Sequence, residues 1–142
     1  MILYAALFSC IDPIFSIAAY LSYKDPFYTP SNGIEKKRAD KQKEELGDDM
    51  YSDHIIRSEA LYNFERVEYV DEFCRENYLS SSTSYYIIDM KKQFASLLFD
   101  MKFLSSPDTK HLSSNINSSN KSLIRAILTA ALYPNAAKIS YF

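Results

Sequence analysis

The first twenty-one residues are almost entirely apolar, and Asp12-Pro13 cuts them in two. Neither piece is long enough to cross a bilayer, which needs about 20 consecutive apolar residues. No basic stretch precedes them, so the run lacks the n-region of a secretory signal. The pattern therefore predicts two buried helices, Met1–Ser9 and Ile14–Ser22, with Asp12 as N-cap and Pro13 at the first helical position. The second is apolar nearly all round and belongs deep in a bundle. A chain that starts in mid-core also suggests that something natively precedes Met1.

The rest of the chain continues the helical theme. Lys24-Asp25-Pro26-Phe27 and Pro30-Ser31-Asn32-Gly33 read as loop. Ile34–Leu46 is a charged, mixed-sign stretch that predicts a solvated helix stopped at Gly47. Ser52 or Asp53 caps the next helix, whose expected buried face is Ile56, Ala60, Phe64 and Val67. A short helix over Asp71–Tyr78 follows, and Ser80–Ser82 caps the strongest amphipathic segment. There Tyr86, Met90, Phe94, Leu97 and Met101 recur at steps of three and four. Ser105–Ser114 reads as a mobile polar loop. Asn117–Ser119 caps a last helix that buries Leu123, Ile124, Ile127, Leu128 and Ala131 and ends at Pro134. Ala137–Phe142 has β-character. The predicted architecture is all-α, a bundle of about six or seven helices.

Chemistry is mostly excluded. Glycine occurs only at Gly33 and Gly47, which rules out Gly-rich phosphate loops and tight hairpins. Cys10 and Cys74 fit neither a disulfide framework nor a zinc site and read as core thiols. His54 and His111 have no partners at metal-ligand spacing. His54 beside Asp53 suggests half of an acid/base pair, but a helix-start hydrogen-bond network suits it better. The net charge of −2 lacks the basic surplus of a free-standing nucleic-acid binder, so any such contact must be a local patch. Twelve tyrosines and nine phenylalanines invite a base-stacking role, yet most fall on the expected core faces.

Several strings, in order along nearly the whole chain, point further. C-I-D-P-I-F-S-I-A-A-Y-L-S-Y-K-D-P-F runs from Cys10 to Phe27. Ser52-Asp53-His54 precedes a helix, and F-C-R-E-N-Y-L-S runs from Phe73 to Ser80. D-M-K-K-Q-F runs from Asp89 to Phe94. S-N-I-N-S-S-N, then L-I-R-A-I-L-T-A-A-L-Y-P-N-A-A-K-I, closes the series between Ser114 and Ile139. These resemble the signatures of the ratchet-like helicase-associated region of DEAH/RHA-type RNA helicases, and in form the G-quadruplex-resolving branch. The chain departs from the pattern at Tyr62-Asn63-Phe64-Glu65, which lacks a tryptophan, at Ala131 for glycine, and at Arg75 for an aromatic.

The resemblance implies a place in a larger machine. Residues 1–9 would end a winged-helix domain, 10–137 would form the ratchet-like bundle, and 138–142 would open an OB-fold. The bundle would close a tunnel on single-stranded RNA, or meet G-quadruplex nucleic acid, against RecA-like motor domains that hold ATP and magnesium. This segment itself would carry no cofactor and no catalysis, and would work in the nucleus or cytoplasm away from membranes. Carried over onto the matched strings, the candidate nucleic-acid contacts are Ser52, His54, Asn77, Lys91 and Arg125, with Asp12 and Asp53 capping or orienting. For Asn77 a buried backbone partner competes with that role, and for Lys91 and Arg125 an ordinary surface charge does. Lys91→Ala and Arg125→Ala are expected to weaken RNA binding without unfolding. The alternative is a protein-interaction module that binds a regulator or another chain.

Overall fold

In the computed structural model, which describes residues 1–46, 52–138 and 140, the helices assemble around one element that is buried on every side. That element is α2 (Ile11–Ser22), whose Ile11, Ile14, Phe15, Ile17 and Ala19 are fully buried. Helix α1 (Ile2–Leu7) packs Ala5 into the same core. Ser9 adopts a left-handed backbone, φ 52°, which reverses the chain into α2.

Asp12 is not the N-cap of α2. Cys10 holds that position, and Asp12-Pro13 sits inside the first turn. Proline is tolerated there because N–H groups of the first turn have no intrahelical acceptor. The Asp12 N–H is capped from afar, by Asn115 Oδ1 at 3.0 Å, while the Asp12 carboxylate turns inward.

Helix α3 (Gly33–Leu46) buries only Ala39 and is the solvated helix its charges predict. Its first turn is capped by Asn32, whose Oδ1 accepts from the Ile34 N–H at 3.0 Å. The expected stop at Gly47 lies outside the described residues. Helix α4 (Asp53–Phe64) buries Ala60 and Phe64 as expected, together with Ile55, Ser58 and Leu61, while Ile56 is only partly buried and Val67 lies past the helix end. Helix α5 (Val70–Glu76) is followed by an isolated antiparallel bridge between Phe27 and Leu79.

Helix α6 (Ser81–Asp100) is capped by Ser80, which accepts from the Thr83 N–H. Its buried face is Thr83, Ser84, Ile87, Ile88, Lys91, Ala95 and Leu98. The predicted stripe is therefore wrong by about one residue: Tyr86, Leu97 and Met101 are each more than half exposed. Both stripes have helical spacing. The compact residues win the interior because they pack closely against α2, and Tyr86 stacks at the surface on Tyr23 with centroids 4.2 Å apart.

Ser105–Ser114 is structured, with Leu104 and Thr109 buried beside it or within it and a 3-10 turn at Leu112–Ser114. Helix α7 (Lys121–Leu132) is capped by Asn120, not by Asn117–Ser119. Asn117 instead ties the loop to the end of α1. Its Nδ2 donates to Phe8 O at 2.8 Å, and its backbone N–H to Ser9 O at 2.9 Å. Ile124, Ile127 and Leu128 of α7 are buried as predicted, and the helix gives way before Pro134. Of the expected closing strand, the described residues Ala137, Lys138 and Ser140 carry no strand, and the rest lies outside the described residues. Cys10 and Cys74 are buried free thiols, and burial pushes the Cys10 thiol up to about 11. Among the described residues no helix is long and apolar enough to cross a membrane, and no cluster of His, Cys, Asp or Glu could hold a metal.

Candidate nucleic-acid interface

The start of α4 is built as a small polar frame. Ser52 is the N-cap by position, without a side-chain cap bond, and Asp53 puts an acid in the first turn, where the helix dipole favours it. Arg57, one turn on, donates from Nε and Nη2 to Asp25 Oδ2 at 3.1 and 2.6 Å, and from Nη1 to the Asp53 carbonyl at 2.9 Å. Its guanidinium also lies over the Tyr20 ring, 5.6 Å from the centroid. Burial opposes the Arg57 charge, but the hydrogen bond and charge of Asp25 outweigh it, so its pKa is raised. Arg57 thus clamps the loop after α2 to the first turn of α4. Residue patterns did not reveal it. The only signal was Asp25, which sits inside the Lys24-Asp25-Pro26-Phe27 string.

His54 completes the frame. The Tyr20 hydroxyl, pushed up to about 12 by burial, shares a hydrogen bond with His54 Nδ1, and which atom donates depends on the imidazole tautomer. Desolvation, then the nearby Arg57 charge, lower the His54 pKa from 6.5. The sign follows by linkage. The folded state resists protonating His54 more than the unfolded chain does, so this contribution is complete above pH 6.5 and is lost as pH falls below it. The urea midpoint of the chain should drop between about pH 7 and pH 5, and His54→Gln should flatten part of that slope. Equal slopes in both proteins would show that His54 carries none of it.

Three of the candidate contacts meet in one place. Ser52, His54 and Arg125 line a cleft of about 460 Å³ between the start of α4 and the last turns of α7, with Leu128, Thr129 and Tyr133 on its other walls. Arg125 is exposed there.

The other two are elsewhere and are already occupied. Asn77 ends α5 in a buried position. Its Nδ2 donates to Phe73 O at 2.8 Å and its Oδ1 accepts from Gln42 Nε2 at 3.2 Å, which joins α5 to α3. Lys91 is 0% exposed. Its ammonium is enclosed by the carboxylates of Asp12 and of Glu65, the latter at 2.7 Å. The expectation that Lys91 is a surface charge able to meet phosphate is therefore corrected, because no solvent or ligand reaches its Nζ. Arg66 and Lys110 approach the same two carboxylates from outside, at 3.8 and 3.9 Å.

Comparison with known proteins agrees with these strings. Residues 1–56 match the family model described as "Helicase associated domain (HA2), ratchet-like". The chain is 43% identical over 144 residues to the human ATP-dependent DNA/RNA helicase DHX36, covering 98% of this chain and 14% of that protein. It is 36% identical to the Arabidopsis thaliana DExH-box ATP-dependent RNA helicase DExH1, across 97% of this chain and 14% of the relative. It is 30% identical to the human putative ATP-dependent RNA helicase DHX57, across 98% of this chain and 11% of the relative. The chain thus spans about one seventh of the length of the first of these curated relatives. Over nearly its whole length the chain is similar to a segment of DExH-type RNA helicases, and its residues 1–56 match the ratchet-like helicase-associated model.

Proposed function

We propose that this bundle holds single-stranded RNA for a DExH-type motor, as one wall of the tunnel through which the strand is moved. The observation that carries the reading is the meeting of Ser52, His54 and Arg125 in one cleft, from matched strings about seventy residues apart. Each offers what a sugar–phosphate backbone needs. Arg125 supplies a fixed positive charge and planar donors, and Ser52 a hydroxyl at a helix start. His54 supplies a ring nitrogen beyond the one held by Tyr20. None of these is a nucleophile placed beside a base, so the role is to grip. In this reading ATP and magnesium belong to RecA-like motor domains, flanked by winged-helix and OB-fold domains, within an enzyme of the nucleus or cytoplasm. Residues 1–9 would end the winged helix and residues 138–142 would open the OB-fold. G-quadruplex nucleic acid is a ligand to test beside single strands.

Arg125→Ala in this chain should weaken binding of a fluorescent oligouridine by about three- to tenfold, and reduce the slope of log K against log salt by about 0.7, the value for one lost phosphate contact on a single strand. Unchanged affinity together with an unchanged slope would remove Arg125 from the interface. The protein-docking alternative has one observation in its favour, the exposed apolar side chains Leu3, Leu7 and Phe8 on and just after α1. A chain that binds a helicase partner but no oligonucleotide would support that reading instead.

A further inference from the structure

The cleft at Arg125 has a neighbour along the same two helices. It pairs the beginning of α4 with the end of α7. A second cleft, of about 410 Å³, pairs the end of α4 with the beginning of α7, so the two helices pass each other in opposite directions. On the α4 side His54 lines the first cleft and Ser58 and Tyr62 the second, with Arg66 in the turn just past the helix end. On the α7 side Lys121 and Arg125 are also four apart, one in each cleft.

The second cleft is polar and cationic. Arg66, Lys110 and Lys121 line it, coming from the end of α4, the loop before the 3-10 turn and the first residue of α7. Ser118, Ser119 and Asn115 complete the wall. The charges do not cancel. Glu59, also in the wall, forms an ion pair with Lys121. Arg66 and Lys110 lean toward Asp12 and Glu65, but Lys91 holds both of those carboxylates from the buried side. That network therefore sets three cations against two carboxylates, and the surplus positive charge lies at the cleft. Arg66 is also held in place, stacked on Tyr62 with its guanidinium 3.5 Å from the ring centroid.

The geometry points to a second phosphate seat, formed by Arg66, Lys110 and Lys121 in the second cleft along α4 and α7, that holds the same nucleic-acid strand. It rests on the strand-holding reading above for the identity of the strand, and on its own residues for the phosphate. From His54 to Tyr62, on which Arg66 stacks, the helical rise amounts to about 12 Å, a distance that about three to four nucleotides cover at roughly 3.4 Å each. A strand seated at both ends is fixed in register, which a single contact cannot do.

The test uses the whole 142-residue chain with three probes: inorganic phosphate, an oligouridine of roughly three nucleotides and one of roughly ten. Inorganic phosphate and the long strand should both shift the backbone amide signals of Ser118, Ser119 and Lys121. Lys110→Glu should abolish the shifts with phosphate and weaken the long strand by about five- to tenfold, with a smaller loss for Lys110→Ala. Lys110 is exposed, so both variants should fold. Binding of the short strand at the Arg125 end should stay within about twofold of wild type. The seat is overturned if neither inorganic phosphate nor the long strand moves those amides, or if Lys110→Glu leaves the long strand's affinity and salt slope unchanged. Shifts with inorganic phosphate but none with the long strand would overturn the strand assignment and leave a site for a free anion. Loss with Lys110→Glu but not with Arg125→Ala would support this seat while removing Arg125 from the interface, and the reverse would overturn this seat alone.

Discussion

Lys91→Ala should cost about 3–5 kcal/mol of folding stability, enough to leave a chain of this size marginal or unfolded at room temperature. The cause is what the substitution leaves behind. Asp12 on α2 and Glu65 just after α4 are buried carboxylates that share the Lys91 ammonium on α6. Without it, two like charges face each other away from water. Arg66 and Lys110, at 3.8 and 3.9 Å, reach them only from the rim. The neighbouring Lys92→Ala serves as the control. Lys92 is exposed and pairs only with Asp89 one turn away, at 3.3 Å, so its loss should change stability by less than about 0.5 kcal/mol. Urea denaturation of both variants distinguishes the two positions. A Lys91→Ala chain as stable as Lys92→Ala would mean that the buried network does not hold these helices. Adding Asp12→Asn and Glu65→Gln to Lys91→Met should restore a large part of the loss, because the penalty lies in the unpaired charge more than in the missing pair.

Asn115→Ala should be the second severe change, at about 2–3 kcal/mol. Asn115 is the hub of the segment before α7. Its Oδ1 accepts from the Asp12 N–H at 3.0 Å and from Ser118 Oγ at 2.7 Å. Its Nδ2 donates to Thr109 O at 2.8 Å and His111 O at 3.0 Å. One side chain thus caps α2 and holds the loop that carries Lys110 and Ser118. At about 0.5–1.5 kcal/mol net for each such bond, the loss accumulates. The measurement is amide hydrogen exchange. Protection should fall across residues 104–118 and at the first turn of α2, while the α4 and α6 interiors keep theirs. Uniform loss of protection would mean that Asn115 supports the whole fold rather than this loop. Asn115→Asp is the informative companion, since it keeps the Oδ1 acceptor and gives up the Nδ2 donors.

These two residues show where reading from residues stopped. The helices themselves were legible, because apolar spacing of three and four, Pro13, Pro134 and the serine and asparagine caps are all local signals. Their phases were less so. On α6 two stripes one residue apart both satisfy the helical period, and of the one richer in aromatics Tyr86, Leu97 and Met101 face solvent while Met90 and Phe94 pack at the edge of the core. The matched strings located Ser52, His54 and Arg125, and the fold brought them into one cleft. The same strings also carried Asn77, Lys91 and Asp12, whose task is to join helices. A string cannot separate the two roles, since a lysine that meets phosphate and a lysine that meets buried aspartate are equally polar and equally embedded in a motif. The asparagine-rich string from Ser114 to Asn120 makes the same point. It reads as one cap signal, and it divides into a hub at Asn115, a tether at Asn117 and the actual cap at Asn120.

The sequence by itself determined an all-helical bundle and the helicase signatures it resembles, because helix period, caps and motif order are properties of neighbours along the chain. Only the tertiary structure decided which polar side chains face inward. Burial makes an unpaired charge far costlier than the same charge in water, so Asp12, Glu65 and Lys91 had to be brought together from three helical regions. That pairing across the fold, invisible in any local pattern, buries Lys91 and leaves Arg66 and Lys110 at the rim of the same carboxylates.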